Sequence, residues 1–271
     1  MISNKSKYEL YRPKKFLGQN FLTDENIAKK IVESLNIKPD DTVVEIGPGQ
    51  GILTKHILEL SGDFHAVEID KSIFEKLTLE YGSKINLIHK DFLKLDLDKD
   101  IHSPDKKIKI IGNIPYNLTT EILFKLFESS DKIETAILMM QREVAMRLTA
   151  KPDCKDYGIL AIQTQLNTTP KALFNVPPSA FFPKPKIFST VVKFDFNKKN
   201  EKLADKKLFK ELVRETFGQR RKTMKNSLSK LLERSNIAAE NINFDFTRRP
   251  ENVSIIEFIN LANEIKILLS K

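Results

Sequence analysis

Thr42-Val43-Val44-Glu45-Ile46 is a short run rich in β-branched residues. It passes directly into Gly47-Pro48-Gly49-Gln50-Gly51, and a helical pattern follows from Ile52 to about Leu60. Strand, glycine-rich turn and helix in that order form the opening unit of a nucleotide-binding α/β sheet. Nothing else in the chain constrains its fold as much. The spacing is G-x-G-x-G, not the G-x-G-x-x-G that cradles a pyrophosphate, and the absence of G-x-x-x-x-G-K-[ST] excludes a P-loop. Glycines here let the backbone approach a ligand closely. The variant suits a ligand without phosphates that carries a nucleoside and an amino acid.

Further apolar runs repeat the unit, and each ends in a polar group. Phe64 to Asp70 reads as the second strand. Glu68 lies about 20 residues beyond the glycines, where a carboxylate grips ribose hydroxyls, and Asp70 caps the helix that starts near Ser72. Ile85 to Lys90 is a third strand, ending at Asp91-Phe92. Asp91 can accept a hydrogen bond from an exocyclic amino group, and Phe92 or Ile69 can cover the ring that bears it. The fourth strand, Ile108 to Ile111, runs into Gly112-Asn113-Ile114-Pro115-Tyr116-Asn117 before the helix start at Thr119-Thr120-Glu121. Pro115 biases Ile114 towards an extended conformation and removes an N–H that would compete for nearby carbonyls. A side-chain amide, a free carbonyl and a flat ring then stand together at a strand's C-terminal edge, where open α/β sheets bind ligands.

The chain continues with a fifth strand, Ile133 to Met140, and a helix starting at Gln141-Arg142-Glu143. Ile159 to Gln163 fits either strand or helix. Val176 to Lys186 is a proline-stiffened loop that presents Phe181 and Phe182, and Ile187 to Phe196 closes the sheet. From Lys198 onward the periodicity is helical. One apolar face holds Leu208, Leu212, Val213 and Phe217; another holds Met224, Leu228, Leu231 and Leu232; a third holds Ile255, Ile256, Phe258, Ile259 and Leu261.

The net charge is +9 over 271 residues, and it is concentrated. Lys198 to Arg234 carries thirteen Lys and Arg against five Asp and Glu, a local balance of +8. Gly218-Gln219-Arg220-Arg221-Lys222-Thr223 is the densest part, Arg248-Arg249-Pro250 adds to it, and Lys5, Lys7, Arg12, Lys14 and Lys15 make residues 1–15 a basic arm. A basic end on a near-balanced body implies a polyanionic partner. No apolar run has the length of a membrane span, and Met1 to Lys15 has no secretory h-region. One cysteine, Cys154, excludes an internal disulfide, and His56, His65, His89 and His102 have no metal-ligand spacing. A cytoplasmic, metal-independent protein is expected.

Taken together, seven segments resemble the S-adenosylmethionine-dependent ribosomal RNA adenine N6-dimethyltransferases, and most closely the KsgA-type family of the small ribosomal subunit. They are Phe16 to Leu22, Val44 to Gly51, Glu68 to Asp70, Asp91-Phe92, Asn113 to Tyr116, Pro178 to Phe181 and Phe217 to Thr223. The resemblance implies a Rossmann-like α/β methyltransferase sheet with helices on both faces over residues 16–197. A small all-helical, RNA-binding domain would follow over 198–271. It implies S-adenosylmethionine as methyl donor, held against Asn20, Leu22, Gly47, Glu68, Asp91 and Asn113, with no metal. Asn113, Ile114, Pro115 and Tyr116 would be catalytic: the Asn113 side-chain oxygen and the Ile114 carbonyl accept from adenine N6, and Tyr116 stacks on the base. Phe181 would clamp the other face, and Arg220, Arg221 and Lys222 would contact RNA. The implied substrate is two adjacent adenosines near the 3′ end of small-subunit (16S) RNA, in a pre-assembled small subunit, acted on by a monomer away from any membrane.

Two departures from the family pattern occur. Many members have Leu where this chain has Ile114, a position at which only the carbonyl acts, and some have His in place of Asn20. The antibiotic-resistance branch, which dimethylates large-subunit RNA, shares the donor motifs. Gly18 and the Arg220-Arg221-Lys222-Thr223 turn are more typical of the small-subunit enzymes. A ribosome-assembly or RNA-binding role with methylation secondary, and methylation of DNA adenine, remain open at the level of sequence.

Overall fold

The computed structural model describes residues 13–14, 17–101, 103, 106–197 and 203–270. Apart from Pro13 and Lys14, the basic arm lies outside them, as do Phe16 and His102. The chain divides into two units, residues 1–145 with 169–197, and 146–168 with 198–271.

In the first unit, β1 (Phe21–Leu22) precedes α1 (Glu25–Ser34), whose N-cap Asp24 accepts from the Ile27 N–H. Then come β2 (Thr42–Ile46), α2 (Thr54–Leu58), β3 (Asp63–Glu68), α3 (Lys71–Tyr81), β4 (Asn86–His89) and the single turn α4 (Leu97–Asp100). β5 (Ile108–Asn113), α5 (Thr119–Glu128), β6 (Ile133–Gln141) and α6 (Arg142–Thr149) follow. After α7 (Ile159–Asn167) the chain returns with β7 (Thr169–Val176), β8 (Phe181–Phe182) and β9 (Ser189–Asp195).

Seven strands form one sheet in the order β4-β3-β2-β5-β6-β9-β7, with β1 and β8 paired separately. The strands from β4 to β6 are parallel; β9 is antiparallel to both β6 and β7. Every residue of β2 is buried, as expected of a central parallel strand covered on both faces. The chain leaves β2 towards β3 and β4, then returns to the other side of β2 as β5. Right-handed crossovers in opposite directions put helices on both faces. They also open a crevice beyond the C-terminal ends of β2 and β5, the switch point where such sheets bind ligands. β7 has no counterpart in the sequence reading. It is an edge strand with Pro170 and mostly accessible residues, so its periodicity is weak.

In the second unit α7, α8 (Lys206–Gly218), α9 (Met224–Arg234) and α10 (Ile255–Leu269) enclose a core containing Tyr157, Phe209 and Phe258. Residues 146–168, which the sequence reading placed in the first domain, group with these helices, as does the chain from 198 onward. Ile159 to Gln163 is helical, and Ala161 and Ile162 are buried in that core, with the Tyr157 hydroxyl donating to the Val253 carbonyl at 2.9 Å. On α10 the buried face is Phe258, Ile259, Leu261, Ala262 and Ile265, and Ile256 faces solvent. Among the described residues no helix is long and apolar enough to cross a membrane.

Candidate functional site

A cleft of about 1070 Å³, its open mouth included, lies at the switch point. It is lined by Asn20, Leu22, Gly47, Glu68, Asp91, Asn113, Ile114, Pro115 and Tyr116, all of which the sequence singled out. Five separate segments deliver them, so the coincidence is a product of the fold. Gly47 has φ +63°, and a Cβ there would meet nothing within 4 Å, so its bare backbone borders open space. Gly18, also at φ +63°, is crowded: a Cβ would fall 2.6 Å from Asn117 Oδ1. That contact seats the segment around Gly18 against the turn that follows β5.

The amide of Asn113 has a defined orientation. Its Nδ2 donates to the Asn20 carbonyl at 2.8 Å, which leaves Oδ1 with no donor among the described residues. The Ile114 carbonyl is likewise without a described donor, while the Ile114 N–H reaches the Met139 carbonyl at 3.3 Å. Two acceptors are therefore available side by side at the end of β5. Tyr116 is held by its hydroxyl, 2.7 Å from the Oγ of buried Ser189. Burial raises the Tyr116 pKa, opposed by that hydrogen bond, so the phenol stays neutral at physiological pH.

Two acids shape the other side. Glu68 is 4% exposed and accepts from the Asp70 N–H at 2.8 Å and the Gly49 N–H at 3.3 Å. Burial raises its pKa, and these two bonds oppose the rise. A carboxylate has about four lone-pair positions, so Glu68 retains acceptor capacity for a ligand hydroxyl. Glu45, which the sequence reading left without a role, also lines the cleft and is 1% exposed. Burial drives its pKa up to about 8 against the bond from Thr54 Oγ1 at 2.7 Å, with the Glu68 charge adding to the rise. Asp91 uses Oδ1 to accept from the Leu93 N–H at 3.0 Å. Ile69, 49% exposed, and Phe92, 7% exposed, supply the apolar lining beside it.

Residues 17–22 line this cleft, and Lys14 is tied to its neighbourhood. Lys14 Nζ lies 2.7 Å from Asp70 Oδ1, the Lys14 N–H donates to Gln19 Oε1 at 2.7 Å, and Gln19 Nε2 donates to Asp70 Oδ2 at 3.1 Å. Asp70 also caps α3 through the Ser72 N–H. The cleft's chemistry fits the methyl donor that the resemblance implies. A bare glycine backbone, carboxylates for hydroxyls and an amino group, an apolar strip and open amide and carbonyl oxygens match a nucleoside joined to an amino acid.

Four expected residues are placed elsewhere. Phe181, expected to clamp a base, is 4% exposed and packs in the core rather than among the residues that line the cleft. The β1–β8 pairing sets Phe181 opposite Leu22 and turns the neighbouring Phe182 outward, 41% exposed. Arg220, Arg221 and Lys222 are in the helical unit and divide by environment. Arg220 Nε pairs with Glu251 at 2.7 Å and its Nη2 donates to the Cys154 carbonyl at 3.3 Å, whereas Arg221 and Lys222 are exposed. Arg248 and Arg249 divide in the same way. Arg248 pairs with Glu257, which holds that carboxyl down to about 2, and Arg249 is exposed. Met224 N–H donates to the Arg248 carbonyl at 2.8 Å, bringing the two basic segments together.

Residues 11–266 match the family described as Ribosomal RNA adenine dimethylase. The Ribosomal RNA small subunit methyltransferase A of Francisella tularensis subsp. tularensis (strain WY96-3418) is 41% identical over 255 residues, covering 93% of this chain and 97% of the relative. The novicida protein (strain U112) of that name is 40% identical over the same length. Among solved structures, a dimethyladenosine transferase from Plasmodium falciparum superposes with a TM-score of 0.76 at 25% identity, covering 92% of this chain and 98% of the other. The 23S rRNA methyltransferase ErmE shares the fold, with a TM-score of 0.66 at 23% identity over 91% of this chain and 100% of its own.

Proposed function

The chain belongs to the ribosomal RNA adenine dimethylase family, and from that premise we propose that it dimethylates N6 of two adjacent adenosines near the 3′ end of small-subunit RNA. The observation that carries the chemistry is the fixed amide of Asn113, whose Oδ1 lies open beside the free Ile114 carbonyl. Near-full-length identity of 41% to small-subunit methyltransferases favours that target over large-subunit RNA. The same reading makes the chain a cytoplasmic monomer whose substrate is the assembled small subunit, with a part in its biogenesis.

When bound, S-adenosylmethionine supplies an electrophilic methyl group for N6. Asn20, Leu22, Gly47, Glu68, Asp91 and Asn113 would hold it. The chain's own task is to make a poor nucleophile reactive. The N6 lone pair is delocalised into the adenine ring. Donating both N–H groups to Asn113 Oδ1 and the Ile114 carbonyl favours a tetrahedral nitrogen with its lone pair turned away from those oxygens. Orientation of this kind is the largest single contribution available to the site. The two oxygens also stabilise the positive charge that develops on N6, whose proton passes to solvent once the methyl group has been transferred. Pro115 keeps a competing N–H away, and Tyr116 offers its ring to the base. The base reaches the cleft only when unstacked. In the second transfer one N–H remains, so one of the two acceptors is released.

The test is transfer of label from radioactive donor to small subunits lacking the modification, with large subunits and duplex DNA alongside, followed by mapping of the labelled base. Dimethyladenosine in small-subunit RNA alone is the expected result. Label confined to large subunits or DNA would overturn the target assignment. A catalytically dead variant that restores subunit assembly as well as the wild type does would make methylation secondary.

A further inference from the structure

Phe182 and Phe188 are 41% and 48% exposed, rings that the sheet's core does not absorb. They stand at the two ends of Phe182-Pro183-Lys184-Pro185-Lys186-Ile187-Phe188, a loop with two prolines in seven residues. Both ends are anchored. At the first, Phe182 is paired with Phe21 in the β1–β8 ladder, next to buried Phe181. At the second, the Arg142 N–H donates to the Phe188 carbonyl at 3.0 Å, and Ser189 Oγ lies 2.7 Å from the Tyr116 hydroxyl. Register fixes where this end stands. Asn113 is opposite Met139 on β6, and Ser189 is opposite Gln141, two residues further along. The loop thus rises about 7 Å beyond Asn113 in the strand direction, at the ligand edge of the sheet. Lys184, Lys186 and Arg142 are exposed and make no ion pair with a described residue.

We propose that this loop is the platform for the unpaired nucleotides that flank the target adenosine, with Phe182 and Phe188 stacking on their bases and Lys184, Lys186 and Arg142 holding their phosphates. The proposal rests on the RNA-methylating reading above and deepens it. A base drawn into the cleft leaves its stack, and its neighbours lose a stacking partner when it goes. Exposed rings replace that partner without regard to sequence, because every base has a π-face. A rigid, proline-held mount keeps the ordering cost of the loop low. Unpaired cations beside the rings match the charge of an RNA backbone, and continuity with the Tyr116 turn ties the surface to the site of reaction.

The experiment measures binding of a mixed-sequence single-stranded RNA oligonucleotide to the full chain by fluorescence anisotropy across a salt series. Both rings are exposed, so substitution leaves the core intact, and unchanged donor affinity provides the control. The pair Phe182→Leu and Phe188→Leu should weaken binding roughly 5- to 150-fold for each ring that stacks. Phe182→Trp with Phe188→Trp should restore it, which a merely apolar or structural role would not predict. Lys184→Gln with Lys186→Gln should reduce the slope of log affinity against log salt by about 1.4. Wild-type affinity in the leucine pair, or failure of tryptophan to rescue, would overturn the proposal. Methylation of small subunits by the wild type is measured in parallel. Its absence would count against the proposed target, and the binding result would still decide the role of the loop.

Discussion

One amide performs two tasks at Asn113, and substitution can separate them. Nδ2 holds the Asn20 carbonyl at 2.8 Å, and Oδ1 faces the cleft. Asn113→Ala deletes both. The lost hydrogen bond is worth about 0.5–1.5 kcal/mol, so if the whole loss falls on the Asn20 segment the donor binds about 2- to 13-fold more weakly. The lost acceptor acts on charge that grows during transfer. By analogy with removal of one oxyanion-hole donor, kcat should fall about 10²- to 10³-fold. Asn113→Asp keeps an acceptor for N6 but sets a carboxylate oxygen against the Asn20 carbonyl. Donor affinity should therefore rank wild type, Ala, Asp, while kcat at saturating donor ranks wild type, Asp, Ala. Calorimetry gives the first order, and labelled transfer to unmodified small subunits gives the second. The same ranking in both measurements, or an alanine variant within about threefold of wild-type kcat, would refute the division of labour.

Glu45→Gln should stabilise the fold in a pH-dependent way. With a folded pKa of about 8 against the ordinary 4.5, native Glu45 keeps a proton that the unfolded chain releases, so wild-type stability falls from pH 4.5 to 8. The advantage of the variant should grow through that window, to the order of 2–5 kcal/mol, and level off above it; urea unfolding at pH 5, 6.5 and 8 with a constant difference would contradict this. In the helical unit, Arg220→Ala should cost about 1 kcal/mol in thermal unfolding through loss of the Glu251 and Cys154 contacts, and leave the salt slope of RNA binding unchanged. Reversing exposed Arg221 and Lys222 to Glu should do the opposite, sparing stability and lowering the slope by about 1.4 or more.

Much of the site was legible because its polar residues follow β-branched runs at a constant place in each strand–turn–helix unit. Gly47, Glu68, Asp91 and Asn113 could be assigned to one edge from that regularity alone. The burial of Phe181 was not legible for a physical reason. Two adjacent phenylalanines on a two-residue strand point to opposite sides, and which one turns inward depends on the pairing with Phe21 and Leu22. The cationic clusters posed a similar problem. Arg220 and Arg221 are indistinguishable in the chain, yet only Arg220 has Glu251 within reach. The strand at Thr169–Val176 was invisible because an edge strand carrying a proline has little alternation to detect.

The sequence by itself determined the kind of sheet, the order of its parallel units, the absence of phosphate-binding glycine spacing and the polar residues at the ligand edge. These follow from local periodicity and turn chemistry, which neighbours in the chain decide. Only the tertiary structure decided which face each side chain presents. Tertiary pairing of Asn113 with the Asn20 carbonyl orients the amide, the β1–β8 ladder buries Phe181 and exposes Phe182, and Tyr157 and Ile162 draw 146–168 into the helical unit. Each of these depends on a partner distant in the chain, and burial and hydrogen bonding act only once that partner has been brought near.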